Sequence, residues 1–268
     1  KMVPKLKAKG IAVAMLPDKD GWPAQSCLFS TMSGRMVGDK FIDNVLAKKA
    51  KFTDKAFVDT LKLYKSFFDD GIIQSSDMNV GYQEGSGIWA AGKAAIYIDG
   101  DWRTGAYITD ASSGIALIEP DAQESDYAII NLVALPGEKN PGIASGIAGI
   151  GFSIADSLPS GSAKEKAAVR LLKYMYSPEV QTQRYELGSF VPTLKGVTGN
   201  VEPLIAKVAA YKNSLAKTCY VLDGVLDPSV FNVLNNGLQG MGLGTITDPA
   251  KVAAEMQAAM DAFLAAKK

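Results

Sequence analysis

Hydrophobic positions along the chain follow two periods. Short, densely apolar runs at 11–16, 94–98, 114–118 and 128–137 predict buried strands. A glycine-rich run at 146–156 predicts another. Elsewhere the apolar residues recur every three or four positions. The spacing predicts a helix from about 53 to 68, with Phe57, Leu61, Tyr64 and Phe68 on one face and Thr53 as its N-cap. Further helices are predicted at 27–36, 82–92, 163–175, 201–211 and 228–241, and one opened by Ser177 and Pro178. The last helix has Asp248 as cap, Pro249 at its first turn, and Val252, Met256, Met260 and Phe263 in register.

Strands alternating with helices, and helices dominating the C-terminal half, predict an α/β fold. The sequence shows no internal repeat and no low-complexity segment. No long Gly/Ser linker divides it, so a second lobe would have to be interwoven with the first. The opening residues read as the closing turns of an amphipathic helix, with Gly10 as a C-terminal glycine cap. No signal peptide is present there. An N-terminal portion carrying any targeting signal is therefore expected outside this sequence.

Composition narrows the chemistry. Lys plus Arg equals Asp plus Glu, at 28 each, which argues against a nucleic-acid partner. No apolar run reaches the ~18 residues needed to cross a bilayer. There is no histidine, so the commonest general base, the usual zinc ligand and any Ser-His or Cys-His pair are missing. Cys27 and Cys219 form no CxxC or zinc pattern and read as two buried thiols, with a disulfide left open. No cofactor and no metal are expected. The glycines of 146–151 resemble a dinucleotide fingerprint but precede an apolar, strand-like run instead of opening a helix. The 240–247 stretch resembles a phosphate loop without its lysine, and reads as one helix ending before the next begins.

One stretch concentrates chemistry. The predicted strand at 94–98 is followed at once by Asp99, Asp101, Trp102 and Arg103. Asp99 with Asp101, or either with Glu84, would suit a glycoside hydrolase, but carboxylates so close in sequence more often accept hydrogen bonds or cap turns. A sugar ring offers an apolar C–H face and a hydroxyl edge. Trp102 suits the face; Asp101 and Arg103 suit the edge. Trp22 and Phe231 also stand in predicted loops or helix starts, away from the apolar stripes. Each reads equally well as core packing or as a stacking platform.

The segment "GSGIWAAGKAAIYIDGDW" resembles the aromatic, Gly-Lys-Ala-Ala, strand, Gly-x-Trp pattern of bacterial extracellular solute-binding proteins. The likeness is to the sugar-binding, maltose-binding-protein-like branch that serves ABC importers. "LKAKGIAVAM", "VALPGEKNPGIASGIAGIGFSIADS", "AVRLLKYMYSPEVQTQRYELGSFVPT" and "GLGTITDPAKVAAEMQAAMDAF" resemble further family segments in the right order, covering nearly the whole chain. The resemblance implies a two-lobed, type II periplasmic-binding-protein-like α/β fold with a ligand cleft between lobes, here with an incomplete first lobe. It implies residues 1–122 and 191–268 as the C-terminal lobe and 123–190 as a remnant of the other. It implies non-covalent carbohydrate binding, no catalysis, a membrane permease as partner, a monomer, and an extracytoplasmic location. The site residues it implies are Trp22, Asp101, Trp102, Gly146 and Phe231, to which side-chain chemistry adds Arg103. A charged ligand is the alternative, either a polyamine on Asp99, Asp101 and Asp223 or a phosphorylated polyol on Arg103.

Overall fold

The computed structural model describes residues 2–146 and 151–267. In chain order the elements are α1 (Met2–Lys7), β1 (Ala12–Met15), a π-helix (Ala24–Phe29), α2 (Ser30–Val37), α3 (Phe41–Leu46), α4 (Lys55–Asp69), α5 (Tyr82–Ala90) and β2 (Ala94–Tyr97). Then come α6 (Pro120–Ser125), β3 (Ala144–Ser145), α7 (Ala163–Met175), α8 (Pro178–Glu186), α9 (Pro203–Ser214), β4 (Thr218–Cys219), α10 (Pro228–Leu243) and α11 (Pro249–Ala266). Short 3-10 turns occupy Ser75–Asn79, Asp101–Ala106 and Leu222–Gly224.

The chain packs as two units. The first takes residues 1–99, 131–147 and 215–268; the second takes 100–130 and 148–214. The resemblance had suggested segments 1–122, 123–190 and 191–268. Its breaks at 122/123 and 190/191 fall inside the second unit. There the buried Gln123 accepts from the Leu204 amide at 3.2 Å, and α6 packs on α9 across the span.

In the first unit β1 pairs in parallel with β2, Ala14 opposite Ile96, and also bridges in parallel to Ile73. Parallel strands need helical cover on both faces. Here α1 lies against β1 and α5 against β2, while α4, α10 and α11 pack on one another, and Phe57, Leu61, Tyr64, Leu234, Leu238, Val252, Met256 and Met260 form one apolar cluster with Ala14 and Leu16. Phe57 stacks on Phe41 (5.4 Å between centroids) and meets Phe29 edge-on (5.7 Å). α10 and α11 approach closely because position 237 is glycine: a Cβ there would lie 2.4 Å from Val252 Cγ1. α4 is capped by Asp54 instead of Thr53, and the Asp54 carboxylate is occupied by the Lys51 amide at 3.0 Å.

Two expected strands do not form. At 114–118 only Ala116 makes a bridge, to Thr109, while Ile115 and Leu117 are exposed. The 128–137 run stays irregular although Leu135 is buried. Its amides turn elsewhere: Leu132 N–H donates to the Asn131 side chain, and the buried Arg35 guanidinium donates to the carbonyls of Val133 and Ile143 and pairs with Glu138 at 3.2 Å. Residues 147–150 of the expected glycine-rich strand lie outside the described residues, and 151–155 form no strand. In the second unit Gln123 also donates to the Ile118 carbonyl and to Glu202, which in turn holds the Thr109 amide.

Candidate functional site

The strand β2 ends at Tyr97, before its carboxylates arrive, so Asp99 and Asp101 share no strand face. Asp99 is the last residue of the first unit and Asp101 opens the 3-10 turn of the second. Glu84 is an exposed residue in the first turn of α5.

In the first unit the loop after β1 turns through Asp18, Gly21 and Trp22 into the π-helix. Gly21 takes a positive φ of 75°, and the Ser26 amide donates to the Trp22 carbonyl. π-helical turns are rare and recur at functional sites. Trp22, half-buried, lies against Tyr82 with ring centroids 4.8 Å apart and planes tilted by 58°. The Tyr82 hydroxyl donates to Asp99 Oδ1 at 2.8 Å, and its amide donates to Asp20. Cys27 Sγ points at the same Asp99 oxygen from 3.8 Å. Ser26, one residue earlier, donates to Asp223 at 2.8 Å. Burial, and then the nearby Asp99, Asp18 and Asp223, push the Cys27 thiol well up, so it stays protonated. Cys27 and Cys219 are both free. The result is an aromatic pair bordered by carboxylates and hydroxyls.

In the second unit Asp101, Trp102 and Arg103 form one 3-10 turn. Asp101 pairs with Lys212 of α9 at 2.5 Å. Trp102 is 45% exposed, and its ring folds back over Gly100: a Cβ at that position would fall 2.1 Å from the indole. Glycine at 100 therefore lets the ring lie flat on the backbone. Arg103 is half-buried in the same turn.

The remaining expected residues sit differently. Gly146, in the first unit, spends its amide on the Cys219 carbonyl, extending the β3–β4 pairing, and packs against Thr218. Phe231 lies in the first turn of α10, half-buried against the first unit's apolar core. Two concave patches of the second unit, one lined by Tyr127, Ile129, Lys207 and Tyr211 and the other by residues 154–160, contain none of the expected residues. Tyr82 was missed from sequence because it looks like an ordinary polar helix start; the close approach of Gly85 to Pro17 lets α5 come up to the Trp22 loop, where the Tyr82 amide meets Asp20. Among the described residues no cluster of acids and cysteines has metal-binding geometry, and no helix is long and apolar enough to cross a membrane.

These features fit a binding protein, and the match to known families agrees. Residues 3–213 match the model of the bacterial extracellular solute-binding proteins, and the chain belongs to that family. Its fold is similar to a chitin oligosaccharide binding protein (TM-score 0.82, 23% identity, covering 99% of this chain and 64% of that one). It is also similar to the solute-binding protein RafE in complex with raffinose (0.68, 19%, 98% and 64%). A third likeness is to a Streptococcus pneumoniae solute-binding protein in complex with the blood group A-trisaccharide (0.65, 18%, 98% and 61%). The chain thus spans somewhat under two thirds of these proteins' length. A search of curated proteins returned no match.

Proposed function

We propose that this chain belongs to the substrate-binding component of an ABC importer and captures a carbohydrate without chemistry. The observation that carries the reading is Trp102, a large ring held in the open over Gly100, beside the carboxylate of Asp101. A flat apolar ring edged by a hydrogen-bond acceptor suits a pyranose, whose C–H face and hydroxyl edge need both. Trp22, Tyr82 and Asp99 repeat the combination in the first unit. That three neighbours in fold carry sugar names or ligands supports the same class. The protein would work outside the cytoplasm as a monomer and deliver ligand to a membrane permease.

The test is a thermal-shift and calorimetric screen against mono- and oligosaccharides. A ligand specific to the native state raises the melting temperature by mass action. Trp102→Ala is expected to weaken binding about tenfold or more, equivalent to ~1.4 kcal/mol, without lowering the melting temperature. Sugar affinity unchanged in that variant would overturn the assignment.

A second reading rests on the acidic surroundings of Cys27. Asp99 faces Cys27 and Asp223 accepts from Ser26, two neighbouring carboxylates that would suit a polyamine. Binding that collapses with added salt would favour it over stacking.

A further inference from the structure

Two carboxyl groups lie buried beneath the loop that carries Trp22. Asp18 is fully buried and Asp77 is 4% exposed. Asp18 Oδ1 accepts from the Ala24 amide, at the first turn of the π-helix, at 2.9 Å, and its Oδ2 is buried with no hydrogen-bond partner. The Asp18 amide donates to the Asp77 carbonyl, its own carbonyl accepts from Gln239 of α10 at 2.7 Å, and Asp77 Oδ2 accepts from the Leu16 amide at 3.3 Å. The segment 16–24 is thus tied down at both ends through these two acids.

The charged and titratable groups around Asp18 do not favour an anion. Its own loop brings Asp20, whose charge acts on it directly, and the exposed Lys19. The Ser75–Asn79 turn brings Asp77, α4 brings Tyr64, and the π-helix brings Cys27, and none of these is a cation. α10 carries no charged residue at all, and Glu84 of α5 is exposed. Among the described residues no lysine or arginine pairs with Asp18 or Asp77. An ionised carboxylate buried without a cation is far costlier than the neutral acid.

We propose that the 16–24 segment is a proton-coupled latch: Asp18 enters the fold as a neutral acid, and loss of its proton loosens the loop that presents Trp22. Burial pushes Asp18 up from 3.8 to about 7 and Asp77 up to about 6. The sign follows from linkage. Both groups bind protons more tightly in the folded chain than in the unfolded one. Their stabilising contribution is complete below about pH 4 and is lost as pH rises through 6 and 7. Acidification from about pH 7 to mildly acid pH therefore strengthens the fold at this point, opposite to the effect of a salt-bridged carboxylate.

The experiment compares melting temperatures of the 268-residue chain and of Asp18→Asn between about pH 5 and about pH 9. Asparagine keeps an acceptor for Ala24 and cannot ionise. The unsubstituted chain is expected to lose several degrees as pH rises from about 5 to about 7 and to level off above that, and Asp18→Asn to lose most of that slope. Asp77→Asn should flatten the remainder. A slope equal in the chain and in Asp18→Asn overturns the proposal. The aspartate carboxyl carbons of the unsubstituted chain, followed by NMR, give a readout that needs no variant: one should titrate near neutrality, and if all titrate below about pH 5 the latch is refuted.

Coupling to ligand rests on the sugar reading of Trp22. With raffinose and chitin oligosaccharides as probes, any affinity found should fall above neutral pH, and fall less in Asp18→Asn. A chain with the expected stability profile that binds no sugar at any pH keeps the latch and removes the sugar reading. A chain that binds sugar with a flat stability profile does the reverse.

Discussion

The first unit closes on a large cluster of packed rings, the second on fewer apolar side chains with two buried glutamines among them. In the first, Phe29, Phe52, Phe57 and Tyr64 pack with no exposure, ring against ring. In the second, α7 buries none of its residues, and the deepest side chains include two glutamines. Gln123 gathers Ile118, Glu202 and Leu204, and Gln181 holds the amides of Thr193 and Leu194. Burial alone would raise the Glu202 carboxyl, but hydrogen bonds from Thr109 and Gln123 together hold it below its ordinary value. Apolar packing tolerates small shifts of shape. A buried amide tolerates none, because each lost partner leaves a desolvated polar atom. The second unit is therefore geometrically strict where it is closed and open where α7 runs.

Three substitutions sharpen the contrast. The largest effect is expected from Phe57→Ala, which removes a ring touching Phe29, Phe41 and Phe52 and should cost about 3–5 kcal/mol in urea unfolding. A loss under about 1 kcal/mol would mean that the ring cluster is not what closes the first unit. Next is Gln123→Ala, expected to cost about 1–3 kcal/mol. Its signature is faster amide exchange at Thr109 and Leu204 with the first unit's helices unchanged. Smallest is Lys212→Ala: the Asp101 pair is partly exposed on both sides, so its loss should change stability by at most ~1 kcal/mol. If Lys212→Ala instead rivals Gln123→Ala, the surface of the second unit matters as much as its amide hub.

The same contrast explains what could be read from sequence. Helices α4 and α11 announce themselves through apolar spacing and caps, because their stability comes from a continuous stripe. The runs at 114–118 and 128–137 have the right composition for strands, but a strand needs a partner edge, and no local pattern says whether one is there. Trp22 and Trp102 were identified because large rings in loops are conspicuous. Tyr82 and Asp18 were not: one is recruited by the contact between Gly85 and Pro17, the other matters because of what is absent around it. A missing cation leaves no trace in the sequence of a neighbouring residue.

The first unit is written in three separate stretches of sequence, and β3 finds β4 across more than seventy intervening residues. Synthesis runs in one direction, so a ribosome that has released residues 1–99 has released only part of this unit. Leu234, Leu238, Val252 and Met256, which seal it, are still to be made. During that interval α4 keeps its ring contacts with Phe29, Phe41 and Phe52 but lacks α10 and α11, so part of its apolar stripe stays uncovered and open to association. The unit's order of manufacture thus exposes its most apolar surface first and conceals it last.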